Sequence, residues 1–334
     1  MNTPSTHIPD IDAVITWVDG NDPGHQQKRL LREGREVKIS TTLLATANDQ
    51  TRFVDNGEIR YTIASIRKFA PWIRRIFVVT DNQRPSFFTD DYMAENGIEM
   101  VDHETIFRGY EWALPTFNSR SIETVLWRIP ALADRFIFFN DDFLLIDHFK
   151  PEDFFQGDKP VLRGVWNRLP GYGSWYVRIN KHISKAALSV FGITRSLHLL
   201  YQMRSAQAAG FKRNYFRIPH VPHPVFKPTL VNFFNKNEAV LTGNLKYPFR
   251  DARQFSSIFL ANHLHIADHK AILKDTGEVV MLNGETDYGP FFTFKFNKMT
   301  GPGKRFVCLQ AMDKFSTAKK QQIYTWLDRL LGFR

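Results

Sequence analysis

Short apolar runs alternate with amphipathic segments along the first 145 residues of the chain. Residues 11–18 are rich in β-branched side chains, and residues 76–79 and 136–139 form further short apolar runs, so all three are predicted strands. The segments that precede the second and third runs carry apolar residues at helical spacing. Strands that alternate with helices indicate an α/β fold with a mostly parallel, Rossmann-like sheet flanked by helices.

Each of these three predicted strands ends in a polar cluster. Asp19 follows the first strand in VDGNDP, Asp81 follows the second in TDNQRP, and Asp141 and Asp142 follow the third in FFNDDF. Ligands of parallel sheets bind beyond the carboxyl ends of the strands, so these carboxylates are expected to meet in one crevice. Asp19 is equally explained as an Asx-turn residue and as a binding residue, whereas Asp81 is better explained as a turn former.

Asp141 and Asp142 are the strongest candidates for chemistry. Adjacent like charges repel each other, and Mg²⁺ or Mn²⁺ accepts hard oxygen ligands from one or two carboxylates together with phosphates and water. A solvated turn after the strand is the alternative. With Asp19 and Asp81 expected at the same edge, metal or substrate binding is favoured.

The pattern of apolar positions is weaker after residue 150. Residues 181–210, 251–275 and 316–332 are predicted to be helical and 278–283 to be a strand, while 218–228 (IPHVPHPVFKP) is too rich in proline for a helix or central strand. The prolines around His220 and His223 restrict the backbone, which would fix two imidazoles as a general base or a phosphate ligand, or place them in a packed loop.

Composition restricts the partners. The 334 residues are 43% hydrophobic and carry a formal net charge of +10, which favours anionic partners such as nucleotides, phosphorylated polymers or lipid headgroups. No known nucleic-acid-binding module is present, so nucleic acid is not an expected partner. No apolar run reaches the length of a membrane span, and no secretory signal precedes residue 11, so a cytoplasmic protein is expected, with membrane association only peripheral. The single Cys308 agrees with a reducing compartment.

Several other residues have weaker claims. Arg60, Arg67, Arg120 and Arg250 could each clamp a phosphate, although most arginines are solvated surface residues. The three histidines in NHLHIADH are expected to lie at the edge of the core or on the surface instead of binding zinc. Walker, Gly-x-Gly-x-x-Gly and Gly-x-Ser-x-Gly motifs are absent. Apolar faces at 186–203 and 316–331 could pack internally or against a partner.

Four segments together resemble the conserved regions of the Stealth family of sugar-phosphate transferases. They are IDAVITWVDGNDP (11–23), EIRYTIASIRKFAPWIRRIFVVTDNQRP with FNSRSIETVLWRIPALADRFIFFNDDFLL (58–145), PHVPHPVFK with YPFRD, and RFVCLQAMDKF (305–315). The chain departs from the family pattern at Ile59 and at 62–64, where the family often has Leu and Ser-Leu-Arg.

The resemblance implies transfer of a hexose-1-phosphate, commonly GlcNAc-1-phosphate, from a UDP-sugar to an acceptor hydroxyl with release of UMP, in capsule or cell-surface polysaccharide synthesis. It implies a GT-A-like fold and Mg²⁺ or Mn²⁺ as the cofactor. The residues matched by motif are Asp19, Asn118, Glu123, Asp141, Asp142, His223 and Arg250. We expect Asp19, Asp142, His223 and Arg250 to be catalytic. Arg60, Arg67, Asn118, Glu123 and His220 are expected to bind the donor, with Asp141 and Asp142 as metal ligands.

With this resemblance, residues 1–334 are expected to form a single catalytic domain. Within it, 11–150 would bind nucleotide sugar and metal, 165–215 would be a helical insertion, and 216–334 would complete the active site and end in a helix. Two alternatives stay open: a metal-dependent glycosyltransferase that releases UDP, and a non-catalytic peripheral module that binds an anionic polymer or lipid headgroups.

Overall fold

The computed structural model describes residues 9–36, 57–169 and 198–333. In chain order its strands are β1 Ile11–Thr16, β2 Ile76–Thr80, β3 Ile98–Asp102, β4 Arg135–Asn140, β5 Phe143–Leu145, β6 Phe155–Gln156, β7 Lys159–Arg163, β8 Val165–Arg168, β9 Asn214–Arg217, β10 His223–Phe226, β11 Ile272–Lys274, β12 Val279–Asn283 and β13 Phe306–Gln310. Its α-helices are α1 Pro23–Glu36, α2 Glu58–Phe69, α3 Asp90–Glu95, α4 His103–Ile106, α5 Ser119–Val125, α6 His198–Ala208, α7 Lys227–Lys236, α8 Glu238–Leu245, α9 Ser257–Ala267, α10 Gly289–Thr300 and α11 Thr317–Leu331.

The central sheet has the strand order β10-β4-β1-β2-β3 over the described residues. Strands β1 to β4 are parallel, and β10 runs antiparallel at the edge beside β4. The predicted fold class, an α/β fold with a mostly parallel Rossmann-like sheet and flanking helices, is confirmed. Strand β3 was missed from the sequence, because IEMVD holds only three apolar residues, two of them well buried.

Both faces of this sheet are covered, which explains why β1, β2 and β4 are almost continuously apolar. Helix α2 packs on one face through a stripe of buried side chains spaced three and four residues apart: Ile59, Ile63, Ile66 and Phe69. The helix ends at Phe69, two residues before Pro71, as the sequence predicts. On the other face, apolar side chains of α5, α7, α8 and α9 form a second cluster.

An ion pair between the buried Asp12 and the partly exposed Arg74 closes the amino edge of the sheet. The carboxylate of Asp12, which is fully buried, accepts hydrogen bonds from Arg74 Nε at 2.9 Å and Nη2 at 2.7 Å. It also accepts bonds from the backbone N–H groups of Arg75 at 3.3 Å and Ala133 at 2.8 Å. One side chain therefore ties together the chain segments that enter β1, β2 and β4.

Smaller sheets surround the central one. Strands β12, β13 and β5 form one of them, with a separate apolar core under α10 and α11. The strand predicted at 278–283 is confirmed as β12, and the helix predicted at 316–332 is confirmed as α11, whose Ile323 and Leu327 are buried in this core. That apolar face therefore packs internally.

The expected helical insertion at 165–215 stays a prediction, because most of that range lies outside the described residues; at its ends β8 pairs with β9, and α6 is helical. The proline-rich range 218–228 holds no central strand, as expected, but contains the edge strand β10, where Pro224 costs no ladder bond to a further strand. One helix prediction in the second half needs correction. Helix α9 stops at Ala267, and β11 follows within the range predicted to be helical. Residues 170–197 lie outside the described residues.

Candidate active site

The register of the central sheet brings the predicted polar clusters to one edge. Thr16 pairs with Asn140 across β1 and β4, and Thr80 pairs with Asp102 across β2 and β3. His223 opposes Phe138, so the antiparallel β10 begins at the edge where β4 ends. The carboxylates after β1, β2 and β4 and the two histidines before and in β10 therefore border the same crevice. The missed strand β3 adds Asp102 to this edge.

Asp141 and Asp142 lie between the first turn of α2 and the end of β13. The hydroxyl of Thr62 donates to the backbone carbonyl of Asp141 at 2.6 Å, and the N–H of Leu309 donates to the carbonyl of Asp142 at 3.0 Å. The turn that carries both carboxylates is thus held from two sides, by residues far away in the sequence.

The carboxylate of Asp142 is poorly compensated. Its Oδ2 accepts a weak bond from the thiol of Cys308 at 3.5 Å, and its buried Oδ1 has no hydrogen-bond partner among the described residues. Burial, followed by the nearby charge of Glu58, raises the pKa of Asp142 to about 7. A carboxylate in such surroundings favours either a proton or a cation beside it.

Three histidines form a cluster near the ring of Phe143, the residue after Asp142. The ring of His223 is buried among Phe138, Phe143 and Phe259, with ring centroids 5.0 to 6.4 Å apart. His220 also contacts Phe143, at 6.1 Å, and stacks on His198 at 4.0 Å. Because Phe143 follows Asp142 directly, its ring joins the histidine cluster to the carboxylate turn.

These imidazoles are neutral at physiological pH. Burial, and after it the neighbouring His220 and Arg120, lower the pKa of His223 to about 3. Burial, Arg120 and Arg250 lower the pKa of His220 to about 4. Neutral imidazoles beside two guanidinium groups are suited to receive an anion, and each can accept a proton.

His198 was missed in the sequence. It lies 22 residues before His220 and belongs to the part of the chain where the apolar pattern and the family resemblance are weakest. No local motif marks it, and only the fold brings its ring against His220. Glu58 was missed for a similar reason, since it reads as an ordinary acidic residue in the first turn of a helix.

The predicted donor-binding residues Asn118 and Glu123 lie in a buried polar network instead of facing the crevice. The amide of Asn118 donates to the backbone carbonyls of Tyr247 and Phe249, both at 2.8 Å. Glu123 pairs with Arg120 at 2.8 Å and accepts a bond from the hydroxyl of Ser256 at 2.7 Å. Both side chains already have partners inside the protein, so their predicted donor-binding role stays a prediction, and the contacts favour a positioning role.

That network positions Arg250. The bonds from Asn118 hold the carbonyl groups on the amino side of Arg250, and Arg250 itself donates to the hydroxyl of Ser119 at 2.8 and 3.2 Å. The positive charge of Arg250, like that of Arg120, lowers the pKa of His220, so these two arginines supply positive charge beside the neutral histidines.

Asp19 and Asp81 hold the loops at the other end of the crevice. Asp19 Oδ1 accepts from the N–H of Asn21 at 2.8 Å, which is an Asx-turn, and the backbone of Asp19 exchanges two hydrogen bonds with the side chain of Gln83. Asp81 pairs with Lys28 of α1 at 3.0 Å. Asp19 borders the crevice as predicted, and its turn-forming role is observed directly.

Of the two predicted arginines on α2, only Arg60 is near this edge. Its guanidinium is exposed in the first turn and lies over the ring of Phe333 at 4.4 Å. Arg67 lies in the last turn, where it donates to the carbonyls of Ile73 and Asn96 at 2.6 and 2.7 Å. These carbonyls precede β2 and β3, at the opposite edge of the sheet, so the prediction that Arg67 binds the donor is wrong.

A divalent cation fits the carboxylate turn in part. Asp142 and Glu58 supply hard oxygen ligands, and the buried, unpartnered Oδ1 of Asp142 is the type of atom that a cation would satisfy. Within the described ranges, no three His, Cys, Asp or Glu residues are grouped closely enough to hold a metal alone. The residues therefore fit a Mg²⁺ or Mn²⁺ ion that takes further ligands from phosphate and water.

Comparison with known proteins identifies the family. The model of Stealth protein conserved region 1 matches residues 9–36, and that of conserved region 2 matches residues 52–162. The capsular polysaccharide phosphotransferase WcwK of Streptococcus pneumoniae is 30% identical over 277 residues, which cover 77% of this chain and 78% of that protein. The chain belongs to the Stealth family. The resemblance stated from the sequence motifs is therefore confirmed.

Other relatives of this Stealth protein match over different lengths. The receptor polysaccharide phosphotransferase WefC of Streptococcus oralis is 29% identical over 342 residues, covering 94% of each chain. The exopolysaccharide phosphotransferase SCO6021 of Streptomyces coelicolor is 43% identical over 145 residues, but these are 43% of this chain and only 25% of that protein. The chain likewise spans less than two-fifths of the Actinobacillus suis capsular polysaccharide phosphotransferase. Among solved structures, the galactosyltransferase LgtC matches with a TM-score of 0.43 and 11% identity, over 96% of this chain and 95% of that chain.

Proposed function

We propose that this Stealth protein transfers a hexose-1-phosphate, with GlcNAc-1-phosphate as the first candidate, from a UDP-sugar to a hydroxyl of a saccharide acceptor and releases UMP. The names of its relatives as capsular and receptor polysaccharide phosphotransferases support the reaction class. The observation that carries the proposal is the joint placement of the Asp142 turn and the histidine cluster around Phe143. The proposed setting is capsule or cell-surface polysaccharide synthesis at the cytoplasmic face of the membrane.

The chemistry requires little covalent participation by the protein. The acceptor oxygen bonds to the phosphorus that carries the sugar, and the bond from that phosphorus to the bridging oxygen breaks, so that UMP leaves with the electron pair. The sugar keeps its bond to the phosphate throughout. Catalysis then depends on placing the two reactants in line and on neutralising the charge of the phosphate oxygens.

Each residue near Phe143 has a task in this scheme. Asp142, with Asp141 and Glu58 beside it, would hold Mg²⁺, which when bound supplies positive charge to the diphosphate of the donor. Arg250 would face the non-bridging oxygens of the phosphorus that is attacked. His220 would hold the same phosphate by a hydrogen bond.

His223 would take the proton of the acceptor hydroxyl. Its neutral ring is ready to accept a proton, and the pKa of about 3 belongs to the free protein. A diphosphate bound between the imidazoles would bring negative charge into this buried site and raise that pKa, because the protonated ring would then have a counter-charge. Donor binding thus prepares the base.

The product assay tests the reaction class. The purified chain is incubated with UDP-GlcNAc and other UDP-sugars, with Mg²⁺ or EDTA and a set of saccharide acceptors, and the released nucleotide is identified by chromatography. UMP that disappears with EDTA is the expected result. UDP would mean attack at the anomeric carbon and would replace the proposal with a glycosyltransferase reaction.

A variant of the proposed base tests the site. His223→Ala is expected to reduce kcat by about 10²-fold or more while the Kd of the UDP-sugar changes little, since general-base catalysis contributes about 10²–10⁴-fold. Turnover is measured by UMP release and binding by calorimetry in the absence of acceptor. Near-normal kcat in this variant would remove His223 from the role.

A further inference from the structure

A group of exposed aromatic rings surrounds the start of α10. Tyr288, Phe291 and Phe294 are 64%, 50% and 62% exposed. Single exposed apolar residues are common on protein surfaces, but three large rings within seven residues form a patch. We call Tyr288, Phe291, Phe294 and Lys298 the α10 face.

The core does not use this face of the helix. Phe292, Phe296 and Met299 of α10 are buried in the core formed with β12, β13 and α11. At about 100° per residue, Phe291, Phe294 and Lys298 lie within about 60° of one another on the outer side. The helix is therefore apolar on both sides, and Lys298 is the exposed cation between the outer rings.

The surroundings of the α10 face are basic. From Tyr288 to Met312 the sequence contains four Lys or Arg residues and no Asp or Glu. The ammonium of Lys295 lies 4.8 Å from the ring of Phe291 and also pairs with the buried Asp287. Lys319 of α11 lies 6.0 Å from the ring of Tyr288. Amphipathic segments that lie in the headgroup region of membranes combine aromatic rings and lysines in this way.

We propose that the α10 face docks this protein onto an anionic lipid bilayer. The phenylalanine rings have no hydrogen-bonding group, so they suit the boundary of headgroups and acyl chains better than a hydrated saccharide. Lysines near a bilayer are attracted by anionic headgroups. No helix within the described parts of the chain is long and apolar enough to cross the bilayer, so this contact is peripheral.

The location of α10 gives the docked protein a defined orientation. The helix starts a few residues after β12, which is paired in parallel with β13, and β13 ends beside Asp142. The first turn of α10 therefore lies toward the side of the molecule on which the crevice opens. Docking through Tyr288 and Phe291 turns that side toward the membrane surface.

Vesicle sedimentation tests this proposal with the full chain. The protein is mixed with phosphatidylcholine vesicles with or without about one-third phosphatidylglycerol, at low and at high salt. We expect binding to the anionic vesicles only, and a decrease at high salt. For the double variant Phe291→Ser/Phe294→Ser the partition coefficient should fall about tenfold or more, since two half-exposed rings no longer insert. Lys298→Glu should weaken binding about tenfold.

Trp112→Ser is the matched control, because Trp112 is 53% exposed outside the α10 face. Its vesicle binding should equal that of the parent chain, and unfolding midpoints of all variants should agree, since the changed side chains are exposed. Equal binding by the double Phe variant would overturn the proposal, as would absence of binding to anionic vesicles. The proposal would also be overturned if the parent chain were a dimer without lipid and the double variant a monomer, since the face would then join two copies. Binding to soluble dextran sulfate that depends on both rings, without vesicle binding, would assign the face to an anionic polymer.

Discussion

Asp142 illustrates a conflict between stability and function in a single side chain. In an unfolded chain its pKa is near the ordinary value of an aspartate, whereas burial and Glu58 raise the pKa in the folded protein to about 7. At a pH between these two pKa values, the carboxyl group of Asp142 is protonated in the folded protein and ionised in the unfolded chain. Stability must therefore fall as the pH rises from about 4 to about 7. A folded protein that keeps such a group at neutral pH gains something else from it.

Asp142→Asn is therefore expected to stabilise the protein while it removes turnover. The amide cannot ionise, so at about pH 8 the free energy of unfolding should rise by about 1–2 kcal/mol, and this gain should vanish at about pH 4.5. Urea unfolding at the two pH values measures the difference. A variant that is less stable than the parent chain at both pH values would contradict the raised pKa.

Mg²⁺ supplies the control for this prediction. A cation that binds the folded Asp142 carboxylate stabilises the parent chain in proportion to its concentration relative to Kd. The melting temperature of the parent chain at about pH 8 should rise with Mg²⁺, most strongly with UDP present, and that of Asp142→Asn should not. If Mg²⁺ raised the melting temperature of both proteins equally, the metal would have to bind to ligands other than Asp142.

At the scale of single elements, α6 holds the histidine cluster in place through Gln202. This fully buried side chain donates to the carbonyl of Ile218 at 2.8 Å and accepts from its N–H at 2.8 Å. It also lies 2.6 Å from Nε2 of His198. Because Ile218 precedes His220 by two residues, one amide fixes both the backbone before the histidine loop and the ring that stacks on His220.

Gln202→Ala should loosen that loop. Two backbone groups of the buried Ile218 lose their partner, which costs about 2 kcal/mol of stability. The positioning role predicts a fall in kcat with a smaller change in KM, because the imidazoles move while the guanidinium of Arg250, held by Ser119, stays. Gln207→Ala on the same helix is the control, since Gln207 is only half-buried and bonds to Gly210 through its backbone. A purely structural role would lower stability without the change in kcat.

The elements that could be predicted from the sequence are those whose local pattern agrees with their environment. β1, β2, β4, α2 and α11 have uniform strand or helix periodicity, and the register of parallel strands then places Asp19 and Asp142 at one edge without further information. β3 and β10 could not be predicted, because the charged residues Glu99 and Asp102 interrupt the apolar run of β3, and β10 contains a proline that only an edge position tolerates.

The directions in which polar side chains point depend on long-range contacts. The motif position of Asn118 and Glu123 predicts that their side chains face the crevice. Both side chains point into the protein instead, because the segment 244–256 provides buried hydrogen-bond partners for them. Arg67 lies only seven residues after Arg60, but a helix of two further turns carries it to the far edge of the sheet. Motif position alone therefore separates site residues from supporting residues poorly.

The amino edge of the sheet provides a prediction about stability alone. Asp12→Ala removes four hydrogen bonds to a buried carboxylate and leaves Arg74 without its main partner, so the free energy of unfolding should fall by about 3 kcal/mol. Asp10 also pairs with Arg74, at 3.0 Å, but its side chain is 54% exposed. Asp10→Ala should change stability by about 0.5 kcal/mol or less. Similar effects of the two variants in urea unfolding would show that the pair of Arg74 with the buried Asp12 contributes no more to stability than its pair with the exposed Asp10.

At the scale of the whole molecule, buried imidazoles set the response to acid. Burial is the main cause that lowers the pKa of His103, His220 and His263 to about 4 and of His223 to about 3. In the unfolded chain these rings bind protons below about pH 6.5, and in the folded protein they do not. The unfolded state therefore gains protons first as the pH falls, and stability falls with it. Asp142 has the opposite effect on stability over part of this pH range, because its carboxyl group binds one proton in the folded protein that the unfolded chain does not bind.

The net effect should be a steep loss of stability between about pH 6.5 and pH 4, of up to about 3 kcal/mol per pH unit. Urea unfolding measured at intervals of half a pH unit gives the slope, and the slope gives the number of protons taken up on unfolding. His223→Gln should lower that number by about one, because one buried ring is removed. Constant stability down to about pH 5 would contradict this prediction, because it would mean that the histidines take up protons within the folded protein. The crevice would then carry positive charge at a pH at which the proposed base, His223, has to be neutral.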